Sequence, residues 1–417
     1  MHGWIPLTVQ LVAVLALALA LGWPPRRWLT ALPPMGLLGL AAAGGAYWFV
    51  ADDGLSGEPA PPMLWGWIAL VGAAVAIAAV GWRTAARWRR AVALLAVPLC
   101  LLSAALTLNG WVGYYPTVQS AWGQWTSGPL PDQSDLTTPG QGRVLNVTIP
   151  SDASHFKHRG ELVYLPPSWF AQSPPPELPA VMMIGGEFNT PSDWLRSGGA
   201  IKVIDDFAAA HHDNAPVLVF VDSGGSFNND TECVNGTRGN AADHLTEDVV
   251  PYVISHFGVS TKPSQWGVVG WSMGGTCAVD LTVMHPEKFR TFVDIAGDLS
   301  PNTGTRAQTI SRLFGGSADA WAAFDPSTVI AKHGRYSGVS GWFGVNGATP
   351  RSDNDGQLAA AKTLCALGQA NGIDCAVITE PGRHDWPFAG KVFADSLPWL
   401  AGRLGTPGVP SIGFPST

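Results

Sequence analysis

Four long apolar stretches in the first part of the chain constrain its fold more than any other feature. They cover residues 5–21, 29–50, 63–80 and 92–112, and each approaches the ~20 residues that a helix needs to cross the hydrocarbon core of a membrane. Tryptophans cluster at or near their ends, where an amphipathic ring suits the headgroup region. We therefore predict a transmembrane region with four helices over residues 1–113.

The loops between these stretches differ in charge, and this difference predicts their orientation. The first loop carries Arg26 and Arg27 and the third carries four arginines, whereas the charged side chains of the second are all acidic. Because basic loops stay in the cytoplasm, the N-terminus and everything after residue 113 are expected outside the cell membrane. The alternative, a cleaved signal peptide, is disfavoured because the first stretch lacks a basic start and three more spans follow.

The remainder of the chain has the pattern of an α/β domain. We predict a linker over residues 114–141, a folded domain over 142–405 and a C-terminal tail over 406–417. Strand-like and helical runs alternate through the domain, which favours a mainly parallel sheet with helices on both faces. The strand-like runs cover residues 144–149, 161–165, 180–184, 216–221, 266–269, 291–295, 341–345 and 375–379. The helical runs cover residues 201–210, 241–256, 276–285, 358–370 and 391–400.

The cysteines fit an exported domain. Four of the five lie after residue 113, and export to an oxidising compartment favours disulfides over four free thiols. Four cysteines allow three pairings. We predict Cys233–Cys277 and Cys365–Cys375, the second because a helix, a turn and a strand can bring a ten-residue spacing together.

The segment Gly270-Trp271-Ser272-Met273-Gly274 carries the clearest chemical signal. A Gly-x-Ser-x-Gly pattern between a strand and a helix is typical of a nucleophile elbow, in which small residues permit a sharp turn below an exposed serine. The alternative is a tight glycine turn with an incidental serine. We predict that Ser272 is a catalytic nucleophile.

A serine hydroxyl needs a base to take its proton, and in this type of fold the order along the chain is serine, acid, histidine. His384 directly follows the last strand-like run and is the predicted base. His285 is predicted to lie near the end of the nucleophile helix, at the surface or as a cap, and His333 in a polar, irregular stretch.

The acid that orients the base is expected in the loop after the run 341–345. Asp353 is favoured over Asp355, which lies nearly at a helix start and is a candidate N-cap, and Asp298 is a remote third option.

The predicted oxyanion hole consists of backbone N–H groups, because a tetrahedral intermediate needs two such donors. One is that of Met273, and the other comes from the Gly185-Gly186-Glu187 loop, with Glu187 preferred to Gly186. The sequence has no dinucleotide-binding glycine fingerprint and no metal-ligand spacing, so we expect neither a cofactor nor a metal. A net charge of −7 gives no basic footprint for nucleic acid.

The Gly-Trp-Ser-Met-Gly-Gly segment, the Gly185-Gly186 loop and the Gly-x-His end resemble the esterase D-like branch of the α/β-hydrolases. This branch includes S-formylglutathione hydrolases and the secreted mycolyltransferases of mycobacteria. The resemblance covers about residues 143–403, leaves the four spans outside, and implies a triad of Ser272, His384 and Asp353 or Asp355. The anchored, exported arrangement is also similar to envelope proteins of mycolic-acid-containing actinobacteria.

The expected function is that of a membrane-anchored serine esterase or acyltransferase. It would act through an acyl-enzyme on an ester substrate, with a sugar or lipid acceptor, at the cell envelope. The alternative hypothesis is a catalytically silent binding or scaffold protein that keeps the hydrolase fold. A transporter is disfavoured, because the spans lack internal ionisable residues.

Overall fold

The computed structural model describes residues 4–22, 26–53, 60–82, 85–115, 117–126, 142–347 and 355–415. The chain divides into two compact units, Met1–Trp125 and Thr126–Thr417.

The first unit contains the four predicted apolar helices, each long and apolar enough to cross a membrane. They pack through small residues: a Cβ on Gly72 would lie 2.4 Å from the carbonyl oxygen of Leu38, so this glycine lets two backbones approach closely. A fifth, short helix lies in the segment predicted as a linker. The helices are α1 (Trp4–Leu21), α2 (Arg26–Asp53), α3 (Pro62–Gly81), α4 (Arg87–Val112) and α5 (Val118–Thr126).

The second unit is built on an eight-stranded sheet. Its strands are β1 (Arg143–Val147), β2 (Glu161–Leu165), β3 (Ala180–Ile184), β4 (Val217–Val221), β7 (Trp266–Trp271), β8 (Thr291–Ile295), β9 (Ser340–Asn346) and β10 (Asp374–Glu380); β5 (Asn235–Gly236) and β6 (Gly239–Asn240) form a small hairpin. The order in the sheet is β1-β2-β4-β3-β7-β8-β9-β10. The pairs β1–β2 and β2–β4 are antiparallel, and the other pairs are parallel. The predicted fold class is therefore confirmed, and the eight predicted strands correspond to those of the sheet.

Helices cover both faces of this sheet and bury two apolar cores. Strand β4 contributes Val217, Val219 and Val221 to one core and Leu218 and Phe220 to the other, as expected for a strand covered on both sides. The helices are α6 (Asp193–Arg196), α7 (Ala200–Ala210), α8 (Ala241–Asp243), α9 (Val250–Phe257), α10 (Met273–Met284), α11 (Arg306–Phe314), α12 (Ala318–Phe324), α13 (Pro326–His333), α14 (Asp355–Ala370) and α15 (Trp386–Arg403). A π-helical segment, His244–Val249, joins α8 to α9.

One region differs from the sequence-based expectation. The stretch around His333 is not irregular, because α11, α12 and α13 occupy most of residues 306–333. Helix α11 begins with a reciprocal capping box between Thr305 and Gln308, which satisfies two backbone donors at its start. His333 is the last residue of α13, and its ring stacks on Tyr336 at 4.0 Å.

Candidate active site

Ser272 lies in the sharp turn between β7 and α10. Its backbone has φ 57° and ψ −120°, a conformation that is unfavourable for a residue with a side chain and persists only where the surroundings enforce it. The backbone N–H of Ser272 donates to the carbonyl oxygen of Ile295 on β8 at 2.9 Å, and its own carbonyl accepts from Thr276 in α10 at 3.2 Å. The turn is therefore held from both sides, as a nucleophile elbow requires.

The two glycines that flank this serine are needed for close backbone contacts. A Cβ on Gly270 would lie 1.6 Å from the carbonyl oxygen of Gly274, which would block the turn. A Cβ on Gly274 would lie 2.5 Å from the carbonyl oxygens of both Ile184 and Gly185. The helix after the serine can thus approach the end of β3, where the predicted oxyanion loop begins.

His384 meets the nucleophile from the loop that follows β10. Its Nε2 lies 2.9 Å from the Oγ of Ser272, and its ring packs against Trp271 with the centroids 4.2 Å apart. Burial lowers the pKa of His384 to about 4. A ring that is neutral at pH 7 has a lone pair with which to accept the serine proton, so the pair has the geometry of a nucleophile and its general base.

The other nitrogen of this ring contacts Gln357, a residue that sequence reasoning did not select. The Nδ1 of His384 and the Nε2 of Gln357 are 3.2 Å apart, and the buried Oε1 of Gln357 has no hydrogen-bond partner among the residues that the structure describes. A glutamine amide can present either end to a neighbour. With Oε1 facing Nδ1–H, the orphaned oxygen gains a donor and the ring takes the tautomer whose Nε2 accepts the serine proton. In the sequence, only the position of Gln357, two residues after Asp355, pointed to a place near the site.

Of the three candidate acids, only Asp298 has a side chain that the structure describes. Asp353 lies outside the described residues. Asp355 is the first residue of α14, and its side chain is not among those described. Asp298 follows β8, where its carboxylate accepts a hydrogen bond from the side chain of Asn302 at 3.1 Å. Within residues 142–347 and 355–415 it makes no hydrogen bond to His384. The choice between Asp353 and Asp355 stays a prediction.

The predicted oxyanion loop lies against the nucleophile. A Cβ on Gly186 would lie 3.2 Å from the Cβ of Ser272, so the two segments are in close contact. The N–H of Gly186 donates to the side-chain oxygen of Asn189 at 2.9 Å, so the preference for Glu187 as the second donor is kept. Met273 begins α10, and the N–H groups of a helix's first turn have no partner within the helix. The pair Met273 and Glu187 remains a prediction.

Two disulfides brace these elements. Cys233 is bonded to Cys277, one turn beyond the nucleophile in α10, with the Cα atoms 5.7 Å apart. Cys365 is bonded to Cys375, which joins α14 to the strand that leads to His384. These are the two pairings that the sequence favours. The remaining candidate base, His285, caps the end of α10 and pairs with Glu287 at 3.1 Å.

His158, Glu161 and His244 have the residue types of a metal site, with ligand atoms within 4.8 Å of one another. Both ring nitrogens of His158, however, contact backbone carbonyl oxygens, at 2.8 and 2.9 Å. The Nε2 of His244 lies 3.0 Å from a carboxylate oxygen of Glu161, and its Nδ1 lies 3.3 Å from one of Asp248. Burial lowers the pKa of His244, but the hydrogen bonds and charges of Glu161 and Asp248 outweigh this effect and raise the pKa above its ordinary value. The contacts are thus those of a hydrogen-bonded ionic cluster.

The fold is that of an α/β-hydrolase, and the Ser272–His384 pair has the geometry of a serine nucleophile beside its base. The family model named Esterase and described as "Putative esterase" matches residues 157–387, and the chain belongs to that family.

Three similar proteins illustrate the relationship. An uncharacterized protein of Corynebacterium glutamicum is 31% identical over 264 residues, which cover 62% of this chain and 60% of the relative. Diacylglycerol acyltransferase/mycolyltransferase Ag85A of Mycobacterium leprae is 28% identical over 195 residues, covering 39% of this chain and 57% of the relative. The chain thus matches less than two thirds of either relative. An S-formylglutathione hydrolase from Agrobacterium tumefaciens has the same fold, with a TM-score of 0.53 and 17% identity over 64% of this chain and 98% of that one.

Proposed function

We propose that this protein is a serine esterase or acyltransferase that works through an acyl-enzyme on Ser272. The observation that carries the proposal is the 2.9 Å contact between the Oγ of Ser272 and the Nε2 of His384, at a strained turn between strand and helix. The half-buried imidazole takes the hydroxyl proton as Oγ attacks the ester carbonyl, and the amides of Met273 and Glu187 stabilise the oxyanion. The intermediate then expels the alcohol, which receives the proton from His384.

The acyl-enzyme is then attacked by water or by the hydroxyl of an acceptor. A cavity of about 550 Å³ at the start of α14 favours an acceptor. It has the mixture of hydrogen-bonding groups and an aromatic ring that a polyhydroxylated molecule would use, and it includes Gly356, whose neighbour Gln357 contacts His384. Its polar and aromatic lining includes Asp298, Asn302, Arg306, Trp321 and Ser327.

We further propose that the enzyme is anchored in the cell membrane and acts outside it, on a lipid ester with a sugar or lipid acceptor at the envelope. Four helices are apolar and long enough to span a membrane, and the arginines of the first and third loops favour an external C-terminal domain. Similarity to a relative named as a diacylglycerol acyltransferase/mycolyltransferase supports a lipid acyl group.

Labelling of the full-length protein in detergent with a fluorophosphonate tests the nucleophile. The wild-type protein should be labelled, Ser272→Ala should not, and Ser255→Ala, the same change at an exposed serine of α9, should label normally. Equal labelling of Ser272→Ala would overturn the proposal, and an unlabelled wild-type protein would favour the silent scaffold. Products formed from a p-nitrophenyl ester with and without trehalose would then separate transfer from hydrolysis.

A further inference from the structure

An ion pair between a half-buried arginine and a buried aspartate lies between the ends of two strands beside the predicted oxyanion loop. Arg159 precedes β2, and Asp222, which is 1% exposed, follows β4. The guanidinium donates from Nη2 to one carboxylate oxygen at 2.6 Å and from Nε to the other at 3.0 Å. Such a two-point contact fixes the orientation of the guanidinium plane as well as its position.

The same guanidinium also contacts the oxyanion loop. Its Nη2 donates to the backbone carbonyl of Asn189 at 2.8 Å. Asn189 closes a tight turn on Gly186, because its side-chain oxygen accepts from the N–H of Gly186 at 2.9 Å and its own N–H donates to the carbonyl of Gly186 at 3.2 Å. Glu187 lies inside this turn, so the direction of its N–H depends on the turn's geometry.

The carboxylate that holds the guanidinium is itself well supported. Burial raises the pKa of Asp222, but the hydrogen bonds and charge of Arg159 outweigh this effect and keep the pKa below its ordinary value. The N–H of Asp222 donates to Glu161 at 3.2 Å, and Glu161 contacts His244 at 3.0 Å. The pair is thus one end of a buried polar network rather than an isolated surface contact.

From these contacts we propose that Arg159 is a positioning residue for the oxyanion hole. It connects the turn at Asn189 to Asp222 and so orients the N–H of Glu187 towards the substrate oxygen. The inference rests on the proposed function. Because Gly186 already lies against Ser272, a small movement of the loop changes the distance between its donor and the developing oxyanion. A misplacement of about 1 Å at such a site costs about 10²-fold in rate.

Two variants test this role in the full-length protein. Arg159→Lys keeps the charge, but its single ammonium cannot occupy the positions of both Nε and Nη2, so the two-point contact that fixes the orientation of the guanidinium is lost. Asn189→Ala leaves the ion pair intact and removes only the acceptor for Gly186. The matched control is Arg290→Lys, because Arg290 also donates to a loop carbonyl, that of Ser337 at 2.7 Å, outside the site.

Each variant is compared in its kcat and KM for a p-nitrophenyl ester and in its affinity for a phenylboronate, whose tetrahedral adduct with the serine occupies the oxyanion hole. We expect Arg159→Lys to lose about 10²-fold in kcat and a similar factor in boronate affinity, with KM nearly unchanged. Asn189→Ala should change the same two quantities in the same direction, and Arg290→Lys neither.

A folded Arg159→Lys with wild-type kcat and boronate affinity, or a loss confined to KM, would overturn the inference. If that variant does not fold, a third variant, Asp222→Asn, which removes the charge and one of the two acceptors that hold the guanidinium, decides in the same way. Failure of the wild-type protein to react with fluorophosphonate would instead refute the proposed function, so the two failures are distinguishable.

Discussion

The pH profile of acylation reports which group lies behind the imidazole of His384. Burial lowers the pKa of this ring to about 4, and the amide of Gln357 at its Nδ1 carries no charge that would raise it. A carboxylate about 4 Å away would stabilise the imidazolium by about 4 kcal/mol at an effective dielectric constant of about 20, which raises the pKa by about three units. The base should therefore titrate near pH 7 with an aspartate behind it and near pH 4 without one, to within about one unit.

We predict that Asp353→Asn moves the midpoint of kcat/KM down by about three pH units and lowers its plateau by about 10⁴-fold, because the amide no longer holds the competent tautomer. Below the midpoint the ring is protonated and cannot accept the proton of Ser272, so activity falls with falling pH in both proteins. Hydrolysis of a p-nitrophenyl ester over about pH 3.5 to 8 measures both quantities. Asp355→Asn, the same change two residues away, is the matched control.

If the midpoint moves in Asp355→Asn and stays unchanged in Asp353→Asn, Asp355 is the acid that supports His384. If neither variant moves the midpoint, the electrostatic reasoning is refuted and no aspartate of this loop supports the base. Gln357→Ala would then be expected to cause the larger loss, since the contact with Gln357 would be left to orient the ring.

Three further results are expected. Replacing the cysteines of the Cys233–Cys277 bond by serine should lower the free energy of unfolding by about 4 kcal/mol, and the same change at Cys365–Cys375 should lower it by about 3 kcal/mol, because the bonds span 44 and 10 residues. Urea titration measures both losses, and a larger loss from the shorter loop would contradict the prediction. Gly274→Ala should abolish fluorophosphonate labelling, because its Cβ would lie 2.5 Å from two carbonyl oxygens. Gly160→Ala is the control and should label normally, because no atom of the described residues outside the adjoining chain lies within 4 Å of its Cβ. A reporter active only outside the cytoplasm should work when fused after residue 120 and stay silent after Arg83, and the reverse pattern would refute the predicted topology.

The strands were predictable because their signal is local. Residues 217–221 form a continuous apolar run, and every side chain in it is buried, so burial on both faces is apparent without knowledge of the neighbouring strands. The same holds for β3, whereas β8 is equally buried but includes the polar residues Thr291 and Asp294. The turn at Ser272 was predictable for a different reason: only small residues permit it, and the glycines at 270 and 274 mark it in the sequence.

The helices of residues 306–333 lack such a signal. In α11 only Thr309, Leu313 and Phe314 are buried, and polar residues occupy most other positions, so this nine-residue helix has little apolar content to mark it. The Thr305–Gln308 capping box was a readable sign of its start. Gln357 has no comparable mark, because its contact with His384 depends on how α14 and the loop after β10 come together.

The Arg159–Asp222 pair shows what local patterns omit. The two residues are 63 positions apart, and neither belongs to a recognisable motif. The antiparallel register of β2 and β4 pairs Leu162 with Phe220, and its continuation by two residues brings Gly160 opposite Asp222, which places Arg159 beside the carboxylate. Strand order and register would therefore have predicted the ion pair, whereas residue types alone could not. The candidate nucleophile and base follow from the order of local signals along the chain, whereas the residues proposed to position the oxyanion loop follow only from the register of the sheet.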